Sequence, residues 1–463
     1  MSSVNDKKPV RNLAADVLDK MGANYCKGNS SELVNEVINL TDQRQRLTDL
    51  VFGTIRSRDT LDYIIERISA QPVKRIQKKI LNILRIGVYE LVFNSKTPVY
   101  AVINEALEAV KKRGGKKQAG FVNAVLREIE RNISEREADF PAKPDSRVVP
   151  TGWDCGCEFK QDVLPRYDSD RLGYFRFGFS LLEFPVSKWL DDFDDDTVRQ
   201  ICTGSNRSPS IYLRVNRLQI DRAGLADRLN TEDIETELVG QGDMVRVTSP
   251  AEVRQIRGYD EGFFSVQDLT AYSVIEFMAP KAGARILDFC AAPGGKTTGI
   301  AELVNDEAEI IATDINTERL EQVAEGAERL ALKSIRTTDY DSLVSGETRK
   351  NRFDYVLADV SCSNSGVLAR RAEARYRINE KSVKQLTEKQ LEILRKASEF
   401  VKPDGIICYS TCSILKEENE RIIERFLKER GNFSKIKGKL VLPYPGPGFD
   451  YDGGFACLLR KNE

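Results

Sequence analysis

The chain has 463 residues, 41% hydrophobic and 30% charged, and reads as a globular α/β protein of about two or three domains. No apolar run approaches the roughly 18 residues that cross a bilayer, and the first residues carry no leader-like core, so a cytoplasmic protein with no membrane partner is expected. There is no histidine, which excludes Ser-His-Asp and Cys-His catalysis and mixed Cys/His metal sites, and nine scattered cysteines do not make a disulfide framework.

Charge is unevenly placed. Residues 1–130 carry 22 Lys and Arg against 15 Asp and Glu, although the whole chain is nearly neutral. Leu13, Val17, Leu18 and Met21 fall at helical spacing, as do Ile80, Leu81, Leu84, Val88, Leu91 and Val92, with breaks at Pro72, Pro98 and Gly114-Gly115. An all-α domain is therefore expected over residues 1–135. Its run Lys111, Lys112, Arg113, Lys116 and Lys117, with the smaller cluster Lys74, Arg75, Lys78 and Lys79, suits the phosphates of RNA. The plainer reading of any one lysine is solvated charge.

Residues 136–180, with Pro141, Pro144 and Pro150, read as a linker or insert. Cys155-Gly-Cys157 lies in it, with no second pair to complete a metal site. Residues 181–262 read as a small α+β subdomain, with a strand at Ile211–Val215 and a helix near 223–229. From 263 to 463, apolar strands at Arg285–Phe289, Glu309–Ala312, Tyr355–Ala358 and Ile406–Tyr409 alternate with helical stretches, the rhythm of a doubly wound, Rossmann-like parallel sheet.

Between the first two of those strands lies Cys290-Ala291-Ala292-Pro293-Gly294-Gly295-Lys296, a small-residue loop opening a helix. Twenty residues after Gly294 comes Asp314, placed to meet the ribose of a nucleoside. Gly295-Lys296-Thr297 invites a phosphate-loop reading, but the glycine that pattern needs five residues earlier is Cys290. The dinucleotide pattern G-x-G-x-x-G is also absent. An S-adenosylmethionine site remains, since that cofactor needs no phosphate grip.

Two further cysteines follow strands. Asp359-Val-Ser-Cys362 and Ser410-Thr-Cys412-Ser both lie where an open α/β sheet binds ligands. A lone cysteine is usually a small buried hydrophobe, which suits Cys408 and Cys457. Two in polar turns at one sheet edge point to thiol chemistry instead.

Together these motifs resemble the RNA 5-methylcytosine methyltransferase family, and within it the bacterial ribosomal RNA small subunit methyltransferase B (Fmu/Sun) group. The resemblance spans most of the chain. It includes Leu50–Arg56, Ile86–Leu91 and Phe121–Arg127, which are similar to the NusB-type RNA-binding domain, then Leu213-Arg-Val-Asn216, Phe264–Asp268, the Cys290–Lys296 loop, and Tyr409–Ser413 with Glu417-Glu-Asn419. It implies S-adenosylmethionine as cofactor, held by Cys290–Lys296, Asp314, Asp339 and Asp359. It implies Cys412 as the nucleophile that adds to cytosine C6 and Cys362 as the cysteine that helps release the product. Asp359 is then suited to hydrogen-bond N3 and N4 of the base.

The partner it implies is small-subunit (16S) ribosomal RNA, naked or in an early assembly particle, met by a monomer with no metal. Arg370, Arg371, Arg375 and Arg377 follow the Cys362 turn and are expected to steer that RNA. Three departures from the family pattern stand out: Ser361 where proline is usual, Phe179–Pro185, and Ala372 with Tyr376. Without proline's fixed φ the Cys362 turn is expected to be looser. A transfer-RNA methyltransferase of the same chemistry and a non-catalytic RNA-binding protein are the alternatives.

Overall fold

Prolines at the entry to several helices set where the N-terminal chain begins to coil, since proline fixes φ and lacks the N–H a helix start leaves unpaired. In the computed structural model, which describes residues 8–22, 25, 30–240, 242–249, 256–346, 350–446 and 448–463, Pro9 and Pro98 precede helices α1 (Val10–Met21) and α5 (Val99–Asn132). Between these lie α2 (Ser30–Asn35), α3 (Arg44–Ser69) and α4 (Lys78–Phe93). The side chains from Ile80 to Val92 of α4 are all buried, which makes it the central helix of this bundle. Gly115, at φ +78°, breaks α5 into two helical pieces.

The chain divides into two compact units, Met1–Ser208 with Leu368–Asn379, and Pro209–Val367 with Glu380–Glu463. The first unit continues past the helices into three short antiparallel strands, β1 (Ile133–Asp139), β2 (Val148–Pro150) and β3 (Cys155–Phe159), in the order β1-β3-β2. Helices α6 (Arg171–Gly178), α7 (Glu183–Asp192) and α8 (Asp195–Asn206) follow. Much of this lies in the stretch read from sequence as a linker. Its strands gave little periodic signal because β1 buries only Ala138.

The second unit opens with a four-stranded antiparallel sheet. Its strands are β4 (Ile211–Val215), β5 (Thr236–Val239), β6 (Met244–Val247) and β7 (Phe264–Val266), in the order β5-β6-β4-β7. Helix α9 (Arg222–Asn230) closes its core through Leu225 and Leu229, against Leu213, Val215, Val245 and Phe264.

After α10 (Leu269–Met278) comes the large sheet. Its strands are β8 (Arg285–Asp288), β9 (Glu309–Ala312), β10 (Ile335–Thr337), β11 (Phe353–Asp359), β12 (Val401–Thr411), β13 (Phe433–Val441) and β14 (Gly454–Lys461). The order is β10-β9-β8-β11-β12-β14-β13; the first five strands are parallel, and β14 runs antiparallel to both its neighbours, β12 and β13. Helices α11 (Gly295–Leu303), α12 (Thr317–Arg329), α13 (Tyr340–Ser345), α14 (Glu380–Ala397) and α15 (Glu420–Glu429) connect them. Alternate residues of β11 feed two cores, Val356 and Ala358 one and Tyr355 and Leu357 the other, so the central strands read as unbroken apolar runs. Among the described residues, no helix is long and apolar enough to cross a membrane.

The expected Rossmann-like sheet and helical N-terminal region are thus present, and the strand order puts β8, β11 and β12 side by side. Their C-terminal ends carry Asp288, Asp359 and Thr411, each followed by the turns that sequence singled out.

Candidate active site

The Cys290–Lys296 loop is held from several sides. Ala291 N–H donates to Thr313 O (2.9 Å), Ala292 N–H to Asp314 Oδ2 (3.2 Å), and Arg319 donates to Ala292 O (3.0 Å). Gly294 sits at φ +102°, and a Cβ there would lie 3.1 Å from Val323 Cα, so a side chain would be both strained and crowded. Beneath the loop, Asp288 is fully buried and accepts from Thr297 Oγ1 (2.7 Å). Burial first, then the neighbouring Asp359 charge, pushes its carboxyl up to about 7 against the Thr297 hydrogen bond. Its other oxygen, and the buried hydroxyl of Thr313, meet no partner among the described residues.

Asp314 is buried and also accepts from Asn316 N–H (3.0 Å). Asp339 is exposed and caps α13 by accepting from Ser342 N–H (2.8 Å). Burial, reinforced by the carboxylates of Asp288, Asp314 and Asp359, drives the Cys290 thiol well up, which keeps it neutral. Among the described residues no group of His, Cys, Asp and Glu could hold a metal.

Lys296 leads from this loop to the second cluster. Its Nζ donates to Asp359 Oδ2 (2.6 Å), and Ser410 Oγ donates to Asp359 Oδ1. Burial acts to lower the Lys296 ammonium, but Asp359 foremost, with Cys412 and Asp288, more than offsets it and the net shift is upward. Register pairs Asp359 of β11 with Ser410 of β12, so the turns after these strands run side by side.

The Sγ atoms of Cys362 and Cys412 lie 3.1 Å apart, and Cys412 Sγ is 3.2 Å from Asn364 Oδ1. Cys412 is partly exposed and Cys362 is buried. The hydrogen bond to Cys412, then burial, raises the Cys362 thiol well above its ordinary range.

Two residues to which sequence assigned no role hold these elements. Glu418 is fully buried and accepts from Ser363 N–H (2.9 Å), Ser363 Oγ (2.5 Å), Ser413 Oγ (2.6 Å) and Gln390 Nε2 (2.9 Å). One carboxylate therefore fastens the residue after Cys362 to the residue after Cys412. Gln390 Nε2 also donates to Ser361 O (3.0 Å), so the turn that lacks a proline is tied down by side chains instead.

Arg214 is the second. It is buried against Glu302 in a two-toothed ion pair (2.8 and 3.0 Å) and donates to Gln267 Oε1 (2.5 Å), Thr298 Oγ1 (2.9 Å) and Gly295 O (2.6 Å). The guanidinium thereby ties β4 and the Gln267 segment to the first turn of α11. The signal was available in the Leu213-Arg-Val-Asn216 motif, where a charged residue interrupts an apolar strand.

The predicted RNA-contact residues fare unequally. Lys112, Lys116, Lys117 and Arg371 are exposed, Arg370 is half-buried, and Lys111 pairs with Glu108 (2.6 Å). Arg113 is tied to Asp16 and Asp19 of α1, which reduces its charge on offer. Arg375 is a correction. It is completely buried and donates to the carbonyls of Arg56 (2.6 Å), Ser180 (3.2 Å) and Ser205 (2.9 Å) and to Asn206 Oδ1 (2.7 Å), so it does not meet RNA. Two of the departures noted in sequence meet at this point, since Ser180 Oγ lies 3.3 Å from Tyr376 Oη.

Comparison with known proteins places these features. Residues 8–131 match the NusB family, residues 183–254 the ferredoxin-like domain of RsmF/B-like methyltransferases, and residues 275–442 the 16S rRNA methyltransferase RsmB/F family. The chain is 31% identical to the probable ribosomal RNA small subunit methyltransferase B of Bacillus subtilis (strain 168), across 98% of this chain and 99% of that one. It is 31% identical to the ribosomal RNA small subunit methyltransferase B of Escherichia fergusonii, across 90% of each.

Among solved structures, that of PH0851 matches with a TM-score of 0.73 at 20% identity, over 98% of this chain and 99% of that one. NSun6 from Pyrococcus horikoshii with SFG matches with 0.52 at 20% identity, over 60% of this chain and 97% of that one. At those identities they speak to the fold alone. The near-complete match to the curated relatives goes further, and the chain belongs to the ribosomal RNA small subunit methyltransferase B family.

Proposed function

We propose that the chain methylates carbon 5 of a cytosine in 16S (small-subunit) ribosomal RNA, in the cytoplasm, with S-adenosylmethionine as methyl donor and a covalent Cys412–C6 adduct. The observation that carries this reading is the pair of thiols 3.1 Å apart at neighbouring strand ends, joined to the cofactor loop through Lys296 and Asp359. The loop fits the cofactor: small residues admit it closely, and the buried Asp288 Oδ1 and Thr313 Oγ1 still have hydrogen-bonding capacity to offer. Cys290–Lys296, Asp314, Asp339 and Asp359 would line its site. When bound, S-adenosylmethionine supplies the methyl group as an electrophile.

The protein's own part is to make C5 nucleophilic and then to restore the ring. The Cys412 thiolate adds to C6, which pushes electron density towards C5. Asp359 accepts from the N4 amino group while Lys296, on its other side, supplies a proton at N3. Cys362 stays a neutral thiol while it shares a hydrogen bond with Cys412. Once Cys412 is bonded to C6, that hydrogen bond and the nearby thiolate charge are gone, and the Cys362 thiol ionises to water more readily. Its thiolate then takes the proton from C5, Cys412 leaves as a thiolate while the ring regains its double bond, and N3 returns its proton to Lys296.

Residues 1–135 and 181–262 are proposed as RNA-binding parts, with Lys111, Lys112, Lys116, Lys117, Arg370 and Arg371 on phosphates, Arg113 contributing less, and a monomer as the working form. The target base must leave any stack to reach Cys412.

The test is methyl transfer from labelled S-adenosylmethionine to an unmodified 16S rRNA transcript, followed by digestion to nucleosides. Label in 5-methylcytidine supports the reading. Label in another nucleoside, label only in transfer RNA, or binding without transfer overturns it.

A further inference from the structure

The segment between β13 and β14 carries three aromatic rings that the chemistry above does not use. Tyr444 and Tyr451 lie 5.3 Å apart with planes 19° from parallel, and Phe449 packs beside both, 5.9 Å from Tyr451 at 25° and 5.5 Å from Tyr444 with a tilt of 32°. Phe449 is 44% exposed. A core ring would be covered, and three aromatics clustered at a surface with their planes 19° to 32° apart ask what packs on them.

The stack is built in place rather than loosely attached. Tyr444 and Tyr451 exchange backbone hydrogen bonds in both directions (3.0 and 3.2 Å). A Cβ on Gly446 would clash with the Tyr444 ring. The arm leading back to β14 is anchored at Asp450, whose carbonyl accepts from Tyr212 Oη (2.7 Å), and at Asp452, whose carbonyl accepts from Thr270 Oγ1 (2.6 Å).

That arm ends at the nucleophile. Gly453 N–H donates to Gly366 O (2.7 Å), and Gly366 N–H donates to Cys412 O (3.0 Å). Across the sheet, Thr411 pairs with Phe455 and Phe455 with Leu440, so the aromatic segment leaves the sheet at the edge where Cys412 sits. The strand entering it, β13, is the last of the sheet; a bulge puts exposed Lys435 on one face and exposed Lys437 and Lys439 on the other, where Lys437 Nζ lies 4.3 Å from the centre of the Phe277 ring.

We propose that Tyr444, Phe449 and Tyr451 form a stacking platform for an unpaired nucleobase flanking the target cytosine, with Lys439 of β13 on an adjoining phosphate. Extruding one base leaves its neighbours without a stacking partner, and a rigid aromatic face beside a basic strand meets both needs of single-stranded RNA. The platform reads no sequence by itself, since every base has a π-face. It rests on the RNA methyltransferase reading above. Lysines on an edge strand also discourage strand pairing between molecules, and the salt dependence separates that role from phosphate binding.

The experiment uses the full chain with a fluorescein-labelled 12-nucleotide RNA, single-stranded or annealed to its complement, and methyl transfer to an unmodified 16S rRNA transcript in parallel. Stacking on one ring corresponds to about a tenfold effect or more. Phe449→Ala should weaken the single strand about tenfold, change the duplex less than twofold, raise KM for the transcript and leave KM for S-adenosylmethionine unchanged. Phe449→Trp should restore binding, and Phe449→Leu should not. Lys439→Gln should lower the slope of log affinity against log salt by about one.

Unchanged single-strand affinity in Phe449→Ala, or full rescue by leucine, overturns the platform. If the unaltered chain methylates no RNA, the reading beneath the proposal fails instead, a different result from a platform variant that behaves like the unaltered chain.

Discussion

Substituting Glu418 by Gln probes the geometry of the two cysteine turns without touching either thiol. Four buried donors converge on this carboxylate, two on each oxygen. Hydrogen bonds to a charged group contribute about 1.5–3 kcal/mol each, and neutral ones about 1 kcal/mol. An amide in place of the carboxylate turns four charge-assisted bonds into neutral ones and sets an N–H₂ against donors. The hydroxyls of Ser363 and Ser413, which share one oxygen, can rotate to accept from the N–H₂, while the other oxygen still receives the Ser363 N–H and the Gln390 amide, so the loss is that of the charge.

The local loss is therefore about 3 kcal/mol, concentrated where the Cys362 turn meets the Cys412 turn. Amide exchange at Ser363, read by mass spectrometry on a peptide spanning residues 360–367, should quicken by about a hundredfold if that turn opens locally. The rate of methyl transfer should fall at least tenfold, while the KM for S-adenosylmethionine stays unchanged, because Glu418 is not a cofactor residue. Unaltered exchange together with unaltered turnover would refute the idea that this carboxylate fixes the spacing of the thiols.

Two further outcomes follow from buried charge. Arg214→Met leaves Glu302 buried without its partner and should cost about 3–5 kcal/mol in denaturant unfolding, whereas Arg214→Met with Glu302→Leu should recover most of that loss, and a double variant no better than the single would contradict the ion-pair account. Asp288 ionises at about 7 in the folded chain rather than 3.8, so the folded state binds the extra proton and loses stability as pH rises between those values. Asp288→Asn should therefore gain on the unaltered chain by about 2–3 kcal/mol between pH 5 and pH 8, measured without cofactor, and a pH-independent difference would contradict this.

Much of the catalytic unit was legible because its signals are local. The central strands β8, β11 and β12 are buried on both faces and so announce themselves as apolar runs, and each ends in a turn whose small or polar residues mark the ligand edge. Parallel pairing of β11 with β12 then brings Cys362 to Cys412, as the two strand ends implied. What sequence did not reveal depends on contacts between distant residues. Glu418 lay inside the Glu417-Glu-Asn419 signature with no role of its own, and only the fold shows it reaching both turns. Arg375 looked like one more basic residue in a run, yet carbonyls from three separate elements enclose it. The strands β13 and β14 were missed because β13 alternates lysines with small or aliphatic residues at an open edge, a weaker pattern than the buried runs beside it.

The central claim is that Cys412 forms the bond to C6 and Cys362 allows it to break. Cys362→Ala, incubated with unmodified 16S rRNA transcript and S-adenosylmethionine, should accumulate a protein–RNA adduct that survives denaturing electrophoresis, and Cys412→Ala or the double variant should form none. An adduct that persists without Cys412, or its absence from Cys362→Ala under conditions where the unaltered chain methylates the transcript, would contradict the account.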